Sequence, residues 1–487
     1  MRLGLLLGVL GVMACDDGVG NEDELQSSDV RIDGASAADA IASEDVRMCV
    51  NEAGDAFVVW SDDREGNSSI WFQASHDGGD SWVSQAIQIN HGDGNATSPD
   101  IACTGNTVYV VWEDTRDGEL DNKNIYFNRS DSGGFQWGEE DLRLDADEKG
   151  KFQSIGPRIA ASGDKVHIVW SDALKGAYDI YAATSTDRGA GFQAAVRVNS
   201  DAAGSAFSAF PQVAMDGQGR VFVAWEDARN QLNDIYFSLS TDSGASFGDD
   251  VRLDGGDDMG TSDSFAPRMA ASGGHVYVVW HDERNGSNRD ILMNWSSDSG
   301  ATWQSDAAQV DSDGAGTSDS MFPAIAMVGN KAHVAWQDSR MGGYDIFYRS
   351  VTDGTMGEES ASGLDAGERA GASNSINARI AVDQDNVAVV WEDRRSDGYN
   401  YENPSDPNPS GFNDLYYNYS GDGGETWLTD DLRIDSWPQG QKYAVNVTAA
   451  LHDDLLLTVW EDGRHGSRDI MFTLLTLGDK GEVITPQ

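Results

Sequence analysis

Apolar residues in this chain come in short runs rich in Val, Ile, Tyr and Ala, and Gly, Asp and Ser separate the runs. The stretch from Val223 to Phe247 shows the rule. An apolar run ends at Trp225 and is followed by Asp227 and Arg229; a second run, Asp234-Ile235-Tyr236-Phe237, leads into the turn Ser240-Thr241-Asp242-Ser243-Gly244, closed by Phe247. The same pattern is written eight times, its first tryptophans being Trp60, Trp112, Trp170, Trp225, Trp280, Trp336, Trp391 and Trp460, at intervals of 52 to 69 residues. A fixed period of that size marks an array of one supersecondary unit. The third copy predicts four strands, Arg158–Ala161, Lys165–Trp170, Asp179–Thr184 and Ala195–Asn199, with Gly163-Asp164 and Asp187-Arg188-Gly189 as hairpin turns. No window keeps the i, i+3, i+4, i+7 spacing of a helix. A four-stranded antiparallel unit of roughly 50 residues, repeated, is a propeller blade.

The ends of the chain favour a ring over a solenoid. The outer strand recurs as Gln88-Ile89-Asn90, Leu142–Asp145, Val196–Asn199, Val251–Asp254, Gln309–Asp311, Gly363–Asp365 and Leu432–Asp435. No good copy follows the eighth tryptophan, but one precedes the first blade as Val30-Arg31-Ile32-Asp33. An N-terminal outer strand that completes the last blade closes the ring and removes two sheet edges. The expected fold is all-β: an eight-bladed β-propeller of four-stranded antiparallel blades, forming one domain over residues 29–487.

The hairpin turn Ser-x-Asp-x-Gly-x-x-Trp/Phe stands intact at Ser75-Asp77-Gly79-Trp82, Ser185-Asp187-Gly189-Phe192, Ser240-Asp242-Gly244-Phe247, Ser296-Asp298-Gly300-Trp303 and Ser420-Asp422-Gly424-Trp427. It is degraded near Asp131–Trp137 and Asp353–Gly357. This turn resembles the Asp-box, or BNR, repeat of sialidases and their non-enzymatic relatives, over nearly the whole chain after residue 29. Sialidases usually have six blades, where eight are counted here. The resemblance gives Asp77, Asp187, Asp242, Asp298 and Asp422 a structural role: the carboxylate takes turn N–H groups, glycine supplies the positive φ, and the aromatic packs under the hairpin.

Charge and the N-terminus place the protein. The formal net charge is −49, from 82 acidic and 33 basic residues, which argues against nucleic-acid partners and reads as a solvation feature. Residues 1–15 have the form of an export signal, with Arg2 ahead of an apolar core, Leu3–Met13, too short to span a bilayer. Val12-Met13-Ala14-Cys15 resembles a bacterial lipobox, which makes Cys15 the lipidation site and the lipid the only link to a membrane. Residues 16–28 read as a flexible acidic tether. The expectation is an exported, lipid-anchored, monomeric protein on a bacterial membrane or the cell surface. Cys49 and Cys103 lie on neighbouring inner strands with opposite parity, so they either face each other as a disulfide or both turn away as small apolar residues.

Three features carry the candidate chemistry. Trp-x-Asp-x-Arg recurs in seven blades, with Leu174 in place of arginine in blade 3, and repetition marks it as architecture. At the start of the inner strands of blades 1 to 7 stand Arg47, Asp100, Arg158, Gln212, Arg268, Ala324 and Arg379. The four arginines, in the odd blades, form either a cationic ring in the channel or partners of neighbouring Trp-x-Asp-x-Arg aspartates. Sialidases bind a sugar carboxylate through three arginines on one face, and the resemblance implies such a role for Arg47, Arg158, Arg268 and Arg379. In blade 7 an insertion, 396–413, carries Tyr399, Tyr401 and Phe412, aromatics suited to stack on a ligand at the rim. The Phe/Tyr-Arg-Ile-Pro motif of sialidases is missing, and Tyr401-Glu402 is a thin candidate for their Tyr–Glu pair. Asp311-Ser312-Asp313-Gly314 begins like a calcium loop but has no glutamate at its twelfth position, so no metal or cofactor is expected. These residues suggest a non-catalytic, surface-anchored propeller that binds a glycan or protein ligand, possibly anionic. The alternatives are an exo-acting glycoside hydrolase of sialidase type and a structural envelope protein.

Overall fold

A computed structural model of the chain describes residues 29–34, 42–118, 122–145, 149–365, 370–395 and 412–477. The export signal with Cys15, the tether 16–28, and Tyr399 and Tyr401 of the insertion lie outside the described residues.

The described residues form eight four-stranded antiparallel sheets and no helix. In the third blade the strands run Ser154–Ser162, Lys165–Asp172, Asp179–Ser185 and Val196–Arg197. The inner strand thus starts four residues before the expected Arg158, and only two residues of the outer strand stay paired. Alternation fails in the second and third strands because both faces are covered by neighbouring blades, so they read as continuous buried runs. The core is accordingly divided among the blade interfaces. Phe57, Val59, Ile70 and Phe72 of blade 1 pack with Val108, Val110 and Trp112 of blade 2, and each of the eight repeat tryptophans is 0% exposed.

The last blade is built from Ala444–His452, Leu455–Asp462 and Asp469–Thr476, and its fourth strand is Val30–Arg31 from the other end of the chain. Val30 pairs with Phe472 and Arg31 with Met471. Ile32, 2% exposed, fills the cluster of Leu457, Val459, Trp60 and Trp71 between blades 8 and 1. The N-terminal strand closes the ring.

The hairpin turns hold together as their residue types require. Ser75 Oγ donates to Asp77 and accepts the Gly79 N–H, while Asp77 accepts the N–H and Oγ–H of Ser81. The closing aromatic does more than pack under its own hairpin. Trp82 meets Phe472, Phe192 meets Phe127, and Trp303 meets Phe237, each on the third strand of the preceding blade, with ring centroids 4.7–4.8 Å apart. The turn motif is therefore also an inter-blade clasp. The degraded copy keeps its shape with Ser132 in the aspartate's place, accepting the Gln136 N–H at 2.8 Å.

Candidate functional site: an arginine-lined channel mouth

Every inner strand bends near its start, and the bend builds the site. The pairing with the second strand slips in all eight blades, and the residue two before the ring position takes a positive φ. Only blade 3 uses glycine there, Gly156; blades 4 and 6 use Phe210 (φ 54°) and Phe322 (φ 51°). Left-handed backbone with a side chain costs roughly 1–2 kcal/mol, so something must hold it. In blades 1, 3, 5, 7 and 8 the holding group comes from the preceding blade, at the middle position of Trp-x-Asp; in blade 2 it is Asp45, which accepts the Ser98 N–H at 3.3 Å. Glu113 accepts the Gly156 N–H at 2.7 Å, Glu226 the Ala266 N–H at 2.6 Å, Glu392 the Asn446 N–H at 2.9 Å and Glu461 the Asp45 N–H at 2.7 Å. Gln337 does the same for Asn377 at 3.1 Å.

The bulge sets the register of the residue that follows it. Arg47, Asp100, Arg158, Gln212, Arg268, Ala324, Arg379 and Thr448 each pair with the same position of the second strand, opposite Val59, Val111, Val169, Ala224, Val279, Ala335, Val390 and Val459. One cavity of about 210 Å³ is lined by Arg47, Arg158, Gln212, Arg268, Arg379 and Thr448, with Asp45 and Asn446 at the bulges of blades 1 and 8. The structure thus gathers the four arginines around one recess. None of them forms an ion pair with a described residue. Among the described residues their hydrogen bonds go to backbone carbonyls: Arg47 to Val46, Arg158 to Pro157, Arg268 to Pro267, and Arg379 to Asn377 and Ala378.

Burial and mutual repulsion act on this ring. Arg268 is pulled down to about 10 by burial and by the charges of Arg379, Arg158 and Arg47. Arg158 is lowered by burial, against the pull of Asp100, and Arg379 by burial and then Arg47. Arg379 is exposed by surface area yet walled in by protein, which fits a side chain reaching into a narrow lumen. Beside Arg268, burial raises the Glu226 carboxyl to about 7. His281 is pushed down to about 3 by burial and by Arg289 and Arg268, so it is neutral, and its Nδ1 accepts the Phe322 N–H at 3.4 Å.

The Trp-x-Asp-x-Arg aspartates have their own partners, which is why the ring arginines do not reach them. Asp227 accepts from Ser208 of the inner strand, from Trp225 Nε1 and from both arms of Arg229, at 2.6–2.9 Å. Arg229 also bridges to Asp250 at 2.7 Å and lies over the Tyr236 ring. Cys49 and Cys103 are joined, tying the inner strands of blades 1 and 2. Phe412 is half-buried. The sequence reading missed Phe210 and Phe322, which are 59% and 45% exposed at bulge positions equivalent to Asp45 and Asn446. Their signal was present two residues before Gln212 and Ala324, but it becomes visible only once the bulge is known.

No family model matches the chain, and no curated protein matches it. Among solved structures it is similar to a polysaccharide lyase at 12% identity, covering 82% of this chain and 94% of that one with a TM-score of 0.49. It is similar to a protein of unknown function from Dyadobacter fermentans at 15% identity, covering 64% and 94%, TM-score 0.42. The NanB sialidase of Streptococcus pneumoniae aligns at 12% identity, covering 77% and 67%, TM-score 0.37.

Proposed function

We propose that this chain is a binding propeller, non-catalytic and anchored through Cys15, which takes an anionic group of a glycan or protein ligand at the channel mouth. One observation carries the reading: four guanidiniums at one register position face one recess without a carboxylate partner among the described residues. Guanidiniums crowded together without a direct ion pair repel one another, and an incoming carboxylate or sulfate relieves that cost through bidentate hydrogen bonds. Phe210, at the bulge two residues before Gln212 of the recess, offers an exposed ring for a sugar. The test is the double substitution Arg158→Ala, Arg268→Ala, assayed on arrays of anionic and neutral glycans. Loss of anionic binding with a melting temperature within about 2 °C of the parent is expected, because neither arginine is an ion-pair strut. A large drop in melting temperature would instead make them structural.

A second reading rests on Glu226, whose carboxyl titrates near neutrality beside Arg268 and so is able to carry a proton there. Release of sugar from a fluorogenic sialoside by the parent, lost in Glu226→Gln, would put the hydrolase reading first.

A further inference from the structure

The outer strand of most blades inserts one side chain between two acidic or amide positions, one at the start of the third strand and one two residues beyond the inserted side chain. In blade 4, Arg252 lies 3.2 Å from Asp234, 2.8 Å from Asp254 and 2.6 Å from Asp257. In blade 7, Arg433 holds Asp414 at 3.1 Å and Asp435 at 2.5 Å; in blade 8, Arg31 holds Asp33 at 2.7 Å and Asp469 at 2.6 Å. Blades 2 and 3 keep an arginine, Arg143 and Arg197, with one aspartate of the pair replaced by Asn124 or Asn199. Blade 1 drops all charge together, using Ser69, Gln88 and Asn90. Positive charge follows negative charge from blade to blade.

Blades 5 and 6 break that rule. Blade 5 has Asp290 and Asp311, 0% and 3% exposed, but Gln309 between them. A third carboxylate, Asp313, joins them, and one oxygen from each of the three lies within 4.8 Å of the others. Asp313 corresponds to Asp257, which Arg252 holds in blade 4, and its buried Oδ1 has no hydrogen-bond partner among the described residues. In blade 6 the paired outer strand is Thr355–Glu359 rather than the expected Gly363–Asp365, but Leu364 still donates to Ile346 as its counterparts do; the blade has Asp345 and Asp365, 1% and 3% exposed, and at the position equivalent to the arginine only Gly363. A Cβ on Gly363 would point within 2.6 Å of Asp365 Oδ1 and 3.6 Å of the Asp345 Cβ, so the missing side chain is the one that would reach the pair. Asp345 Oδ2 and Asp365 Oδ2 are both buried and unpartnered among the described residues. Two like charges so enclosed cannot both be ionised without a counter-ion.

We propose that in blades 5 and 6 a calcium-class cation takes the place of the outer-strand arginine, held by Asp290, Asp311 and Asp313 in one blade and by Asp345 and Asp365 in the other. The donors are hard oxygens, the set calcium prefers, and the Gln309 amide can turn its oxygen inward. The loop Asp311–Gly314 fails the spacing of a helix-loop-helix calcium site, so the assignment rests on the arginine pattern across the blades rather than on a motif.

The test uses the full chain, stripped with chelator and titrated with calcium chloride by calorimetry and thermal melting. Gln309→Arg restores the residue type of blades 2, 3, 4, 7 and 8, and Asp365→Asn installs the residue native at Asn90 and Asn199, so both variants keep a side chain the fold already accepts. The parent is expected to bind about two calcium ions with a rise of several degrees in melting temperature. Each variant should lose one ion, and the double variant both. No heat and no shift in the parent, with stabilisation by acid alone, would mean that the pairs share a proton and would overturn the proposal. Unchanged stoichiometry in the variants would overturn it equally.

Discussion

Phe210 and Phe322 occupy backbone that bulky residues seldom adopt, and for Phe322 a neighbouring side chain explains how the bend survives. The bend exposes an inner-strand N–H; His281 takes it at Phe322, and at Asp45, Gly156, Ala266 and Asn446 a buried glutamate from the preceding blade takes it. Burying that glutamate has a consequence in pH. For Glu226 the folded carboxyl titrates near 7, above its usual 4.5, because burial outweighs the Ala266 N–H and Arg268. The folded state therefore binds the proton more tightly than the unfolded state. This stabilisation is complete below about 4.5 and is lost as pH rises through 7. Glu226→Gln should remove that slope while keeping the hydrogen bond, as Gln337 does natively. Urea melts of parent and variant should diverge by on the order of 3 kcal/mol between pH 4.5 and 8. A constant difference would show that the carboxyl is hydrated in the folded state. Protonation of Glu226 also leaves the recess more positive, so anionic ligands should bind more tightly toward pH 6.

At the scale of the element, the closing strand is short in hydrogen bonds but dense in buried charge. Asp29 accepts from Arg464 at 2.7 Å, and its counterparts are Asp250 on Arg229 and Asp431 on Arg395. Asp29 also caps Ser436 and Thr473, and Asp33, 0% exposed, receives the Ile470 N–H. Asp29→Ala should cost roughly 3–5 kcal/mol, since Arg464 would lose a buried partner. Removing residues 29–34 adds the burial of Ile32, about 2 kcal/mol more. Deleting residues 16–26 should leave the melting temperature unchanged; equal effects of the two deletions would contradict a ring closed by this strand. Strand order, blade number and closure were legible because each rests on local copies that recur at a fixed period. The start of the inner strand was not, because a bulge built from Phe, Ala, Ser or Asn has no consensus residue, only a shared φ. The arginine ring was legible as a column of aligned positions. Its freedom from the aspartates was not, since that depends on Ser208, Trp225 and Arg229 saturating Asp227 first.

Taken as a whole molecule, the propeller concentrates cations at its axis while carrying a net charge of −49. Stability is distributed over eight similar interfaces, so the ring is weakest where the chain's two ends meet, in blade 8, whose outer strand leads on into blade 1. Non-covalent contacts close that seam: the N-terminal strand, Ile32, and the clasp of Trp82 on Phe472. If it opens, blade 1 becomes a terminal blade held by a single neighbour. The Cys49–Cys103 bond joins blade 1 to that neighbour, across 54 residues of sequence, and so opposes fraying from the seam. In the chain-entropy picture a loop of that length contributes about 4 kcal/mol by restricting the unfolded state. Replacing both cysteines by serine should lower stability by up to that amount. Hydrogen exchange should then quicken in Ala56–Asp62 and Ser69–Ser75 of blade 1 well before Asp290–Ser296 of blade 5, on the far side of the ring. Uniform acceleration around all eight blades would mean instead that the ring unfolds as one unit and that the bond acts only on the unfolded chain.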